Sequence, residues 1–170
     1  MEKVLFKEEQ RFTQWWLWLL LGTSLGLPVV LVANELVHST KGTEDYSTLI
    51  FVLCLVLFFL VAFIWFFLKM KLVIEVTENI IRFKFPPLHN RWKQIEKEKI
   101  ERYEVREYRA VREFGGWGIK SNLRKINTAY NVKGNIGLQL YFKNGRKLLL
   151  GTQRKKAMEY AMKKFMEGGE

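Results

Sequence analysis

The sequence predicts an α-helical hairpin that crosses a membrane, followed by an α+β domain that is mostly antiparallel strand. Three observations carry that prediction. Two long stretches contain no charge, the hydrophobic pattern then breaks into short alternating runs, and the chain closes with an amphipathic, lysine-rich segment.

The first uncharged stretch, Trp15 to Ala33, reads WWLWLLLGTSLGLPVVLVA; the second, Ser47 to Leu68, reads STLIFVLCLVLFFLVAFIWFFL. At about 1.5 Å per residue, each is long enough as a helix to cross a hydrocarbon layer of about 30 Å. A chain of 170 residues has too little other mass to enclose two all-apolar helices in water. The expected organisation is a flank over 1–14, spans over 15–36 and 47–68, a short outer loop over 37–46 and an inner domain over 69–170. The first stretch fits a retained anchor better than a cleaved signal peptide, whose apolar part is usually about 7–15 residues with an A-x-A site after it.

Charge near the span ends sets the orientation. Lys3, Lys7 and Arg11 precede the first span and Lys69 and Lys71 follow the second, whereas the loop has Lys41 against Glu35, Glu44 and Asp45. Both termini are therefore expected in the cytoplasm and the chain in the cell (inner) membrane, as a multi-pass protein. Trp15, Trp16, Trp18 and Trp65 then fall at one interface, where indoles are favoured. Gly22 and Gly26, four residues apart and followed by Pro28, have the spacing of a close helix contact. Cys54 lies mid-span, where it acts as a small apolar residue.

From Lys69 onward there are 24 Lys and Arg against 11 Glu, a formal charge of +13. Such a charge attracts the domain to an anionic inner leaflet over about 8 Å at physiological salt. In KLVIEVTENIIRFKF, Leu72, Ile74 and Val76 share a face, Glu78-Asn79 turn the chain, and Ile81, Phe83 and Phe85 share the next face. Pro86-Pro87 ends that hairpin and NRWKQIE forms a third strand. KEKIERYEVREYRAVREF fits two patterns: Ile100, Tyr103, Val111 and Phe114 with a Glu98/Arg102 pair suit a helix, while Tyr103, Val105 and Glu107 suit a strand. NTAYNV, IGLQLYF and RKLLLG are three further strands, the last two joined by the hairpin signal Asn144-Gly145. Leu138, Leu140 and Phe142 are expected in the core opposite Leu148 and Leu150. Thr152 is placed to cap a helix over 153–166, with Ala157, Met158, Ala161, Met162 and Phe165 as its apolar stripe.

REFGGWGIK, Arg112 to Lys120, is the unusual segment. It matches neither G-x-x-x-x-G-K-[ST] nor a G-x-G-x-x-G leading into a helix, so it does not cradle a nucleotide phosphate in either known way. Gly115, Gly116 and Gly118 are expected at positive φ or in a bulge, acting as a hinge between two halves of the domain, with Trp117 as a hydrophobic plug. The functional alternative is that Trp117 contacts lipid or a partner while Arg112, Lys120, Arg124 and Lys125 attract phosphate or an acidic protein.

EFGGWGIK, AYNVKGNIGLQL and GRKLLLGTQR resemble a small prokaryotic family of unknown function within the bacterial pleckstrin-homology-like (PH-like) membrane proteins. The resemblance runs from Lys71 to about Phe165. It implies a seven-stranded PH-like barrel capped by the C-terminal helix, favours strand for Ile100–Val111, and permits ligand contacts by loops at the barrel's open end. It brings no activity with it.

Catalytic chemistry is poorly provided for. His38 is on the outer loop, His89 follows Pro86-Pro87, and the Glu residues of Glu96–Glu107 alternate with Lys and Arg as on a solvated face. The chain has no H-E-x-x-H or C-x-x-C, so no metal or cofactor is expected. Nucleic acid is not expected either, because no recognition helix or stacking platform accompanies the basic charge. The expected function is a non-enzymatic, membrane-anchored binding or scaffolding module for lipid headgroups or a protein partner. The alternatives are a self-associating subunit of a membrane complex, joined through Gly22/Gly26 and strand edges, and an enzyme using Glu and Lys.

Overall fold

The computed structural model describes residues 3–38, 43–121 and 126–168. The chain divides into two compact units, Thr13–Lys69 and a second made of Met1–Phe12 with Met70–Glu170.

The first unit is two helices, α1 (Trp15–His38) and α2 (Thr43–Lys69). Both are long and apolar enough to cross a membrane. Leu19, Leu27, Val30 and Leu31 on α1, and Phe51, Phe58, Phe59 and Val61 on α2, are more than half exposed. Water penalises such surface at about 25 cal/mol per Å², a cost that lipid removes. The α1 hydroxyls are satisfied within the helix: Thr23 donates to the Leu19 and Leu20 carbonyls and Ser24 to that of Leu21. A Cβ built on Gly22 or Gly26 meets no atom within 4 Å. Within one chain, then, neither glycine is needed for a close approach to α2.

In the second unit the described residues form nine strands in two sheets. The first sheet is β1 (Val4–Arg11), β2 (Lys71–Thr77), β3 (Ile80–Phe85) and β4 (His89–Glu96), antiparallel throughout and in chain order. The second contains β5 (Ile100–Glu107), β6 (Gly118–Ser121), β7 (Asn127–Asn131), β8 (Ile136–Phe142) and β9 (Lys147–Gly151), ordered β5-β8-β9-β7-β6. Only its β7–β9 pair is parallel; the others are antiparallel. A short helix, α3 (Ala110–Phe114), lies between β5 and β6, and α4 (Lys155–Glu167) follows β9.

The strands thus form two open sheets of four and five, where the family resemblance implied seven in one barrel. The added strands are β1 and β6. The flank expected over 1–14 supplies β1, which pairs along its length with β2 from Val4↔Thr77 to Arg11↔Lys71. Its inward positions are Phe6, Glu8 and Gln10, so an apolar-polar alternation is not visible in the sequence. The polar pair bonds to the β9–α4 junction. Thr152 Oγ1 donates to Glu8 Oε2 (2.6 Å), the Gln153 N–H donates to Glu8 Oε1 (3.0 Å), and Gln10 Nε2 donates to the Gly151 carbonyl (2.6 Å). These bonds satisfy buried groups that would otherwise destabilise the fold.

They also correct the expected role of Thr152. The α4 N-cap is Arg154 and has no side-chain cap bond, while Thr152 Oγ1 accepts from the Arg154 N–H as it donates to Glu8. Of the expected α4 stripe, Met158, Ala161, Met162 and Phe165 are fully buried, while Ala157 at its edge is half-buried. They join a core of Leu72, Ile74, Ile81 and Phe85 from the first sheet and Leu138, Leu140 and Leu150 from the second. Phe142, expected with them, is half-buried instead.

Candidate functional site

The segment that fitted both helix and strand uses both in turn. β5 takes Ile100–Glu107, with Tyr103 and Val105 opposite Leu140 and Leu138 of β8, and α3 takes Ala110–Phe114. Glu113 holds the turn between them. Its Oε1 accepts from the Arg109 N–H (2.8 Å) and its Oε2 from Arg106 Nη2 (2.7 Å), and the same Nη2 also donates to Gln139 Oε1 (3.2 Å). The bond from Arg106 holds the Glu113 carboxyl below its ordinary range, and that partner raises Arg106 in turn.

α3 ends at Gly115, whose φ of +71° lies in the left-handed region. The Gly115 N–H reaches the Val111 carbonyl and the Gly116 N–H reaches that of Ala110, each at 2.9 Å. Gly116 and Gly118 then take φ of +121° and +107°, conformations that only glycine adopts readily. The glycines lie inside the second sheet, between β5 and β6, so they do not form the expected hinge between two halves of the domain. Their effect is to fold Trp117 back. Together with Phe114 it packs on buried Tyr108, Ala110, Ala129 and Leu149, and its Nε1 donates to the Gly134 carbonyl (3.3 Å). Tyr108 meets Phe114 edge-on at 6.0 Å.

Two predictions arise here. Trp117→Ala is expected to cost about 2 kcal/mol in urea unfolding, less than the roughly 3–5 of a fully enclosed aromatic. Gly116→Ala is expected to cost about 1–3 kcal/mol from backbone strain alone, because the Cβ itself meets open space.

Of the basic residues expected around this segment, Lys120 on β6 is half-buried and lines a hollow of about 210 Å³ with Glu113, Phe114, Ser121 and Asn127. Arg112 is exposed on α3. Arg124 and Lys125 lie outside the described residues. The segment therefore assembles Trp117, Lys120 and Glu113 around α3 without making Trp117 a fully exposed contact.

A second group had no signal in the sequence, because its members are far apart in the chain. Lys93 of β4 donates to Tyr130 Oη on β7 (2.5 Å), and the buried Tyr130 ring stacks edge-on against Phe83 and His89. A hollow of about 240 Å³ opens beside it, and a second of about 460 Å³ adjoins the first across Phe142 and Arg146. His89 has a buried Nδ1 with no hydrogen-bond partner among the described residues; burial, followed by the Lys93 charge, lowers its pKa. A depressed folded pKa means that the unfolded chain binds the proton more readily. Stability is therefore fully present above the ordinary value of about 6.5 and falls as pH drops through the folded value. His89→Gln is expected to flatten that loss in urea titrations between about pH 7 and 5.

Compared with protein-family models, curated proteins and solved structures, the chain matches none.

Proposed function

We propose that the protein is a non-enzymatic binding module anchored in the cell membrane by α1 and α2, with both termini in the cytoplasm and a PH-like domain beneath the bilayer. The pairing of β1 with β2 carries this reading. Arg11 and Lys71 are partners in one antiparallel ladder, so the chain leaves for α1 and returns from α2 at neighbouring positions of the same sheet. A hairpin that crosses and returns satisfies that register, whereas one crossing separates the two strands by a membrane. The +13 charge of the domain segment favours the anionic inner leaflet. Two stacked strand layers and a closing helix support the PH-like assignment, with β1 and β6 as additions to it.

In this reading the segment Arg112–Lys120 meets lipid headgroups, with Arg112 and Lys120 as the cations. Fluorescent-protein fusion at the C-terminus is expected to fluoresce in cells, and alkaline phosphatase inserted at Thr40 to be active; the reverse pattern rejects the topology. In nanodiscs, hydrogen exchange at 112–120 is expected to slow when anionic lipid replaces zwitterionic lipid. Equal exchange in both removes the headgroup contact.

A further inference from the structure

We infer that the groove beside Tyr130 is a binding site for a phosphomonoester-bearing small molecule. Two cations converge there from separate parts of the chain, Lys93 on β4 and Arg146 in the β8–β9 turn, while the Lys147 ammonium at the start of β9 lies over the Tyr141 ring instead. The 240 Å³ hollow they line has no carboxylate in its wall, and among the described residues Arg146 has no ion-pair partner. Tyr130 is only 4% exposed, and its oxygen accepts from Lys93, which leaves the phenol proton available to a ligand oxygen. Thr128 adds a second hydroxyl to the wall. A compact dianion suits two cations and two hydroxyls in so small a space, since charge-assisted bonds are the strong ones.

The neighbouring 460 Å³ hollow supplies the rest of the site. Its size falls within the range of small-molecule pockets, and Ile95 and Phe142 give it an apolar floor. Lys99 and Lys143 stand at its rim against a single acid, Glu98. A ligand with its phosphate between Lys93 and Arg146 and an uncharged body against Phe142 fills both. The source of such chemistry is either a lipid with a phosphomonoester head or a soluble phosphate ester. The inference rests on reading the chain as a binding module, but it uses different residues from the segment Arg112–Lys120.

The test is calorimetric titration of the full chain in nonionic detergent with glycerol 3-phosphate, dihexanoyl phosphatidic acid and, as zwitterionic control, dihexanoyl phosphatidylcholine. At least one phosphomonoester is expected to bind more tightly than about 1 mM, with the phosphatidylcholine silent. Preference for phosphatidic acid assigns a lipid source, and equal binding of glycerol 3-phosphate a soluble one. Lys93→Gln and Arg146→Gln are each expected to weaken binding about tenfold, the scale of one charge-assisted bond. Lys156→Gln, the same charge change on exposed α4, is expected to leave it within about twofold. The site is rejected if neither phosphomonoester binds, or if Lys156→Gln weakens binding as much as Arg146→Gln. Either result leaves hydrogen exchange at 112–120 in anionic nanodiscs as a separate measure of the headgroup contact.

Discussion

Expressed without β1, the domain from Met70 onward is expected to lose its cooperative urea transition, and joining Arg11 to Lys71 through a two-residue Asn-Gly turn is expected to restore it. Loss of β1 strips the β2 edge and uncovers the pocket filled by Phe6, a burial of about 1.5–3 kcal/mol. It also removes all three bonds from Glu8 and Gln10 to the segment Gly151–Gln153, each about 0.5–1.5 kcal/mol and more for those to the carboxylate. The total of roughly 5 kcal/mol matches the whole stability of a small domain. Arg11 and Lys71 are already ladder partners, so a tight turn closes them without altering the register. Circular dichroism of the two chains in urea decides the matter. A truncated domain as stable as the joined one shows that β1 is dispensable.

Phe165→Ala is expected to cost about 3–5 kcal/mol. Phe165 is wholly enclosed and lies at the C-terminal end of the stripe that α4 turns inward, behind Met158, Ala161 and Met162. Its removal leaves a cavity that the helix cannot close without shifting those neighbours, because the stripe spans about two turns and the chain before the helix is held by the Glu8 bonds. Tyr160→Ala, on the opposite side of α4 where the ring is 60% exposed, is expected to stay within about 0.5 kcal/mol. Denaturant midpoints of the two variants give the comparison, and equal losses remove α4 from the core.

What could be read from the sequence follows from how each element announces itself. α1 and α2 are legible because charge is absent over a full helix length. β2, β3, β8, β9 and α4 are legible because their apolar positions recur with the period of their structure. β1 fails that test for a physical reason: it buries Glu8 and Gln10, whose partners lie more than 140 residues away. β6 is four residues long and begins on a glycine, too short for any period to appear. The division into two sheets depends on which strands pair, and the parallel β7–β9 pair skips the strand between them in the chain. At the site, the glycine conformations were legible because few residues other than glycine accept them. The groove was not, since Lys93 and Arg146 each look like ordinary solvated cations until Tyr130 is placed beside them.

The pairing of β1 with β2 also sets an order of events during synthesis. β1 leaves the ribosome before α1 and α2, yet its ladder partner is made only after both helices, and the groups that bond Glu8 and Gln10 come later still, at Gly151–Gln153. At about 5–20 residues per second, that interval is on the order of ten seconds. Through it the nascent strand is an unpaired edge, and the two polar side chains that later face inward keep it wettable while it waits. The earliest strand is completed only by residues made more than 140 positions later, so a chain that stalls between them displays an open β1 that quality control can recognise.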